Sequence, residues 1–159
     1  MAKEQKTLSG KLATNRKAFH DYEILERIEA GIELRGTEIK SLRNSSVSLS
    51  GSFAKVEEGQ AILHNLTIQP YEHGNRFNHP PARPRRLLLH RNEIRKLQTV
   101  IEQKRHTIVP LSIYIKKNIA KIELGLCKGK TIGDKRETLK RKTAEREAMR
   151  AITQQTRRT

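Results

Sequence analysis

Two stretches of the chain alternate apolar and polar residues with a period of two. Leu111, Ile113 and Ile115 alternate with Ser112 and Tyr114, and Ala120, Ile122, Leu124 and Leu126 alternate with Lys121, Glu123, Gly125 and Cys127. That period marks strands with one buried and one wet face, so Tyr114 and Lys121 are expected on a solvent-facing sheet surface. Residues 18–34 also read as extended, with Ile24, Leu25, Ile28, Ile32 and Leu34 apolar and Gly31 placed to bend the run as a bulge. Two further strands are expected over residues 52–57 and 61–68, joined by the hairpin turn Glu57-Glu58-Gly59-Gln60. Helical spacing occurs twice. Thr37 is placed to cap a short helix with Glu38 in its first turn and Ile39 and Leu42 on one face. Residues 87–104 then set Leu89, Ile94, Leu97 and Ile101 along one side. Many short strands with a few short helices predict a mainly β fold, an OB-like closed antiparallel β-barrel.

The ends and one internal segment lack this patterning. Residues 1–14 are polar and Lys-rich, which predicts a flexible arm. Residues 69–86 hold Pro70, Pro80, Pro81 and Pro84 with no alternation, and read as a long surface loop ending in Arg83, Arg85 and Arg86. From Lys128 to Thr159 there are eleven Lys/Arg against four Asp/Glu. Within it, residues 134–153 favour helix, but only Leu139, Ala144, Ala148, Met149, Ala151 and Ile152 are apolar. A helix so polar gains little from packing, so the tail is expected to be disordered alone and helical against a polyanion. The resulting division is an arm over 1–14, a binding barrel over 15–130 and a basic tail over 131–159.

Charge sharpens this picture. The formal net charge is +16 and the pI about 10.4, a balance that points to phosphate-bearing partners. Residues 20–75 carry a net −4, so the positive charge is gathered into patches elsewhere. Three clusters join structured elements to loops: Asn15-Arg16-Lys17, Arg83-Pro84-Arg85-Arg86 and Lys128-Gly129-Lys130. Guanidinium groups match phosphate oxygens with a bidentate fork, and Lys supplies a movable point charge. Apolar residues make up 35% with no Trp and only six Phe and Tyr, so the core is modest and aliphatic. No apolar run approaches the roughly 20 residues that span a bilayer, and residues 1–17 show no signal-peptide stretch. The one cysteine, Cys127, suits a reducing interior; a cytoplasmic protein without membrane attachment is expected.

Catalytic patterns are weak. The six His are scattered, with no HExxH pair and no Cys cluster for zinc. His73 and His79 fall in the loop, and His20 and Asp21 would leave opposite faces of a strand. The Gly125 to Gly133 stretch lacks Walker spacing. No catalytic residue, metal site or cofactor is expected. Glu38 suits a helix start, where a carboxylate complements the macrodipole. Glu29 is of more interest in a basic protein: a carboxylate repels phosphate and so selects hydrogen-bond donors on bases or sugars.

Seven blocks stand in a characteristic order and spacing: Asn15-Arg16-Lys17-Ala18, His20-Asp21-Tyr22, Glu29-Ala30-Gly31-Ile32, residues 36–43, residues 86–89, Lys128-Gly129-Lys130 and Asp134-Lys135-Arg136. Over nearly the whole chain from Asn15 they resemble the small protein B family, the SsrA-binding proteins of bacteria. The resemblance implies a non-enzymatic adaptor for trans-translation. It would bind the tRNA-like domain of transfer-messenger RNA on an OB-like barrel and carry it to stalled ribosomes, working with elongation factor Tu on the aminoacylated RNA. Its tail would lie in the empty mRNA channel of the small subunit, with Asp134, Lys135 and Arg136 at the decoding centre. By family motif, RNA-binding positions are Asn15, Arg16, Glu29, Leu88, Lys121 and Lys128; the basic clusters add Lys17, Arg86 and Lys130. Three departures from the family pattern stand out. Gly133 replaces the aromatic or His that often precedes Asp-Lys-Arg, Ser45 and Gly51 replace the usual Gly and Asp at a turn, and Ala144 replaces a bulkier side chain.

Overall fold

The computed structural model describes residues 10–72 and 79–158. Residues 1–9 of the expected arm, and His73, lie outside the described residues. The elements in chain order are β1 (Lys11–Thr14), α1 (Arg16–Asp21), β2 (Tyr22–Ile32), α2 (Gly36–Arg43), β3 (Val47–Ser48), β4 (Phe53–Glu57), β5 (Gln60–His64), β6 (Thr67–Ile68), β7 (Arg85–Leu88), α3 (Arg91–Lys104), β8 (Thr107–Lys116), β9 (Ile119–Gly129) and α4 (Ile132–Arg158). The fold is mainly β with helices at its edges.

The large sheet has the order β1-β8-β4-β5-β7-β2-β9, and β9 also pairs with β8. Every pairing is antiparallel, and six strands therefore follow one another in a ring. Strand β8 gives one edge to β9 and divides the other between β4 at Ile108 and β1 at residues 112–114. The ring encloses an aliphatic core that includes Ala30, Leu63, Ile113, Ile122 and Leu124, and α3 adds Leu97. In the two longest hairpin strands Leu111, Ile113, Ile122, Leu124 and Leu126 are buried as the alternation predicts, but Ser112, expected to face water, is buried with them. Both hairpin turns place two residues at positive φ: Glu58 at 49° and Gly59 at 73°, then Lys117 at 50° and Asn118 at 62°. Such turns carry the twist of the flanking strands. Ser45 and Gly51, the two departures at the turn, also sit at positive φ, 57° and 73°.

Several expectations require correction. Residues 18–21 are helical rather than extended, because Asn15 caps α1: its side chain accepts from the Ala18 amide at 3.2 Å. The bulge in β2 falls at Leu25, where the register with β9 jumps between Ile24 and Glu26; Gly31 stays in register. The helix expected over 87–104 begins only at Arg91, since Leu87 and Leu88 belong to β7. Its period of two was masked, because Arg85 occupies a buried position and Leu88 an exposed one. Helix α2 is capped at Arg35 rather than Thr37, with the Glu38 carboxylate accepting from the Arg35 amide at 3.0 Å. Gly125 and Cys127, expected to face water, are buried beneath α1 with Ala18, Val109 and Leu111. A Cβ on Gly125 would lie 3.0 Å from Cys127 Sγ, so the glycine permits this close layer. Burial pushes the Cys127 thiol up to about 11.

The largest correction concerns the tail, which is one continuous helix of 27 residues rather than a disordered segment. Thr131 and Asp134 start it reciprocally. Thr131 Oγ1 accepts from the Asp134 amide at 3.3 Å, while Asp134 Oδ2 accepts from the Thr131 amide at 3.1 Å and its hydroxyl at 2.7 Å. Beyond Gly133 the run contains neither Gly nor Pro and is rich in Ala, Glu, Lys, Arg and Gln, all strong helix formers. Propensity over this length outweighs the missing apolar face.

Candidate nucleic-acid interface

The outer face of β7, β2, β9 and β8 is a solvent-exposed surface on which cross-strand register builds one continuous row. Leu88 pairs with Gly31, Gly31 with Lys121, Lys121 with Tyr114, and Tyr114 with Lys11. Leu88 is 50% exposed, an unusual position for a leucine in a strand. A Cβ on Gly31 would lie 3.1 Å from Leu88 Cβ and 3.2 Å from its Cδ1, so Leu88 leans across the bare backbone of β2. Glu29, two residues back on β2, faces the same way.

Glu29 Oε2 accepts the Tyr114 hydroxyl, and Lys116 Nζ lies 3.6 Å from Oε1. The Tyr114 bond, only partly opposed by burial and aided by the charges of Lys116 and Lys121, holds the Glu29 carboxyl below its usual range. Burial and the same bond push the Tyr114 phenol up. At neutral pH the pair is therefore a phenol donor on an ionised acceptor. Glu123, the other carboxylate of this face, is occupied: it accepts from Ser112 Oγ at 3.0 Å and Arg27 Nη1 at 3.1 Å. The face thus offers an ionised carboxylate for hydrogen-bond donors, two lysines for phosphate and one apolar side chain for an unstacked base or ribose.

The other candidate residues gather elsewhere. Seven residues of β9 separate Lys121 from Lys128, roughly 23 Å at strand rise, and strand parity sends the two side chains to opposite faces. Lys128 is exposed at the end of β9. Lys130 lies beside α1 and α4, with Nζ 3.3 Å from both Phe19 O and Thr138 Oγ1. Arg16 and Lys17 are exposed on α1. Asn15 itself is buried, and its Nδ2 donates to Leu49 O at 3.3 Å and Pro110 O at 3.0 Å. Its side chain fixes α1 against the sheet.

The head of the tail touches this second cluster. Lys135 Nζ lies 3.4 Å from Asp21 Oδ1, and Asp21 also meets His20 Nδ1 at 2.8 Å. The expected opposite orientation of His20 and Asp21 is therefore wrong, because α1 rather than a strand carries them. The His20 bond, against a smaller effect of burial and with help from Lys135, holds the Asp21 carboxyl below its usual range. Asp134 is held low by its bonds to Thr131. Arg136 is exposed and has no ion pair among the described residues.

The arginine cluster of the loop is not a phosphate-binding face. Arg85 is fully buried and Glu38 nearly so. Arg85 donates from Nε to Glu38 Oε2 at 2.6 Å, from Nη1 to Leu66 O at 2.6 Å and Arg83 O at 3.1 Å, and from Nη2 to Pro81 O at 3.0 Å, and its Nη2 lies in an ion pair 2.5 Å from Glu38 Oε2. Arg83 Nε donates to Glu38 Oε1 at 3.0 Å. Burial opposes ionisation of Glu38, but Arg83, the Arg35 amide and Arg85 outweigh it and hold the carboxyl low. Burial draws Arg85 downward too, yet a guanidinium stays protonated in proteins, so the triad is ionic. Only Arg86 points outward, half-exposed and 3.0 Å from Glu33. His79, expected to be exposed, is half-buried.

Among the described residues no group of three or more His, Cys, Asp or Glu is arranged to hold a metal ion. No described helix is long and apolar enough to cross a membrane. Sequence reasoning placed Tyr114 on the wet face beside Lys121 but gave it no role, and it read Gly31 as a bulge. The pairing of β2 with both β7 and β9 brings Gly31 to the centre of the face, and the pairing of β8 with β9 sets Tyr114 in the same row.

Residues 12–154 match a family model described as SmpB protein. The chain is 57% identical over 141 residues to an SsrA-binding protein of Geobacillus thermodenitrificans, an alignment covering 89% of this chain and 91% of that one. It is 56% identical over 145 residues to the SsrA-binding protein of Bacillus subtilis, covering 91% and 93%. With that of Staphylococcus carnosus it shares 51% over 152 residues, covering 96% and 97%. A solved chain described under "tmRNA-SmpB: a journey to the center of the bacterial ribosome" superposes with a TM-score of 0.64 at 50% identity, covering 80% of this chain and 93% of that chain.

Proposed function

The chain belongs to the SmpB protein family, and from that premise we propose that it is an RNA-binding adaptor for trans-translation. It binds the tRNA-like domain of transfer-messenger RNA and delivers it to stalled ribosomes, where the nascent peptide is tagged and the ribosome freed. The observation that carries this reading is the convergence of Glu29, Leu88 and Lys121 on one exposed sheet face. These residues lie far apart in the chain and have no evident structural reason to share a surface. The ring of six paired strands supports an OB-like barrel as the platform. Arg16, Lys17, Arg86, Lys128 and Lys130 supply phosphate contacts around it, and Asn15 acts by fixing α1.

The second half of the adaptor is α4, which projects from the body as a charged rod about 40 Å long at helical rise. Asp134, Lys135 and Arg136 at its base serve the decoding centre, and the rest follows the mRNA channel. Gly133 offers no ring to stack there, and the small Ala144 leaves the channel contacts to charge. The chemistry of peptide transfer belongs to the ribosome and the delivery of aminoacylated RNA to elongation factor Tu, so the protein works without a cofactor, in the cytoplasm.

A tagging assay on stalled ribosomes tests this division of labour. Truncation after Lys130 should leave binding to transfer-messenger RNA nearly intact and abolish peptide tagging. Equal loss of both activities would overturn the bipartite scheme, and retention of full tagging would remove the tail from the mechanism.

A further inference from the structure

Resting on the reading of the outer face as the RNA-binding surface, we propose that Tyr114 and Gly31 are its positioning residues: Tyr114 fixes the Glu29 carboxylate through its hydroxyl, and Gly31 fixes Leu88 by leaving open the space that side chain crosses. An exposed glutamate on a strand ordinarily samples several rotamers, and ordering it on binding reduces affinity. Here Tyr114 reaches from β8 across the whole of β9 to Glu29 on β2. The bond passes between Lys121 and Glu123, which flank it on β9. It engages Oε2; Oε1 carries only the ion pair with Lys116 Nζ at 3.6 Å, and it is there that a hydrogen-bond donor on RNA would meet the carboxylate. Without the hydroxyl, Lys116 and Lys121 would compete for the carboxylate and draw it toward the groups that meet phosphate.

Gly31 performs the matching task on the other side of the row. A side chain at 31 would press on Leu88 Cβ and Cδ1 at 3.1 and 3.2 Å, so Leu88 would have to give way from its place over β2. Leu88 is half-exposed and lies outside the hydrophobic core. Its lean over bare backbone is what sets an apolar surface beside Lys121. Carboxylate, lysine and leucine thus present a fixed arrangement of donor-seeking, phosphate-seeking and apolar groups within one row.

Two double-mutant cycles on the full-length protein, read as affinity for transfer-messenger RNA at several salt concentrations, test the proposal. Tyr114→Phe keeps the ring and should weaken binding about tenfold, the scale of one oriented hydrogen bond. That loss should vanish in a Glu29→Ala background. Gly31→Ala should likewise weaken binding about tenfold and become harmless beside Leu88→Ala, where the crowded atoms are gone. Losses that persist in full in the Glu29→Ala and Leu88→Ala backgrounds would overturn the positioning roles, as would wild-type affinity for Tyr114→Phe and Gly31→Ala. If Glu29→Ala and Leu88→Ala themselves bind as wild type, the surface does not read RNA and the proposal falls with that reading.

Discussion

Neither Glu38 nor Arg85 could be buried alone in this protein. Together with Arg83 they satisfy each other and tie α2 to the carbonyls of Leu66, Pro81 and Arg83. Glu38→Ala leaves Arg85 unpaired in the interior, and should lower stability by about 3–5 kcal/mol, measurable by urea unfolding. The pH dependence follows from the direction of the shift. The folded carboxyl titrates below its ordinary value of 4.5, so its stabilisation is complete above that pH and is lost as pH falls through the folded value. Glu38→Gln should therefore flatten the fall of the urea midpoint at the acid end; an unchanged acid limb would show that other carboxylates govern it. Gly125→Ala is a second residue-scale test. Its Cβ would meet Cys127 and Leu111 at 3.0 and 3.1 Å, and overpacking of this kind should cost about 1–3 kcal/mol in the same assay. Neither role was legible in the chain. A buried Arg and a surface Arg are the same letter, and Gly125 read as an ordinary wet position.

At the scale of elements, α4 shows how two sequence signals can conflict. Its residues favour helix, and its missing apolar face argues that packing will not hold one. The propensity prevails, helped by the reciprocal bonds of Thr131 and Asp134. Truncation after Lys130 should accordingly remove a strong helical signal at 222 nm from the free protein. A difference spectrum of coil would restore the disordered tail. Asp134→Ala removes a cap and should weaken the first turn by about 0.5–2 kcal/mol, seen as faster amide exchange over the turn that follows Thr131. Asp134 then has a structural duty within a motif whose neighbour Arg136 is free for a partner. Strand β7 failed as a sequence reading for a related reason: its two faces carry residues of the wrong polarity for their burial.

For the whole molecule, the bipartite form separates two electrostatic surfaces. The body pairs much of its charge internally, through Glu38, Glu123, Asp21 and Glu29, whereas α4 leaves most of its cations in water. Binding of transfer-messenger RNA should fall steeply with salt, and Lys121→Ala should reduce the slope of log affinity against log salt by about one. An unchanged slope would place Lys121 off the phosphate path. By itself the sequence determined the β character, the hairpin turn over residues 57–60, the net charge and the seven blocks that mark the family. These are local facts, fixed by periods, turn chemistry and residue order. Only the tertiary structure decided which cations are free and which are spent, since Arg83 and Arg85 depend on a carboxylate more than forty residues away in the chain. It alone decided that Leu88 and Gly31 join Lys121 and Tyr114 in one row, because pairing between distant strands sets that register, and no period within a single strand records it.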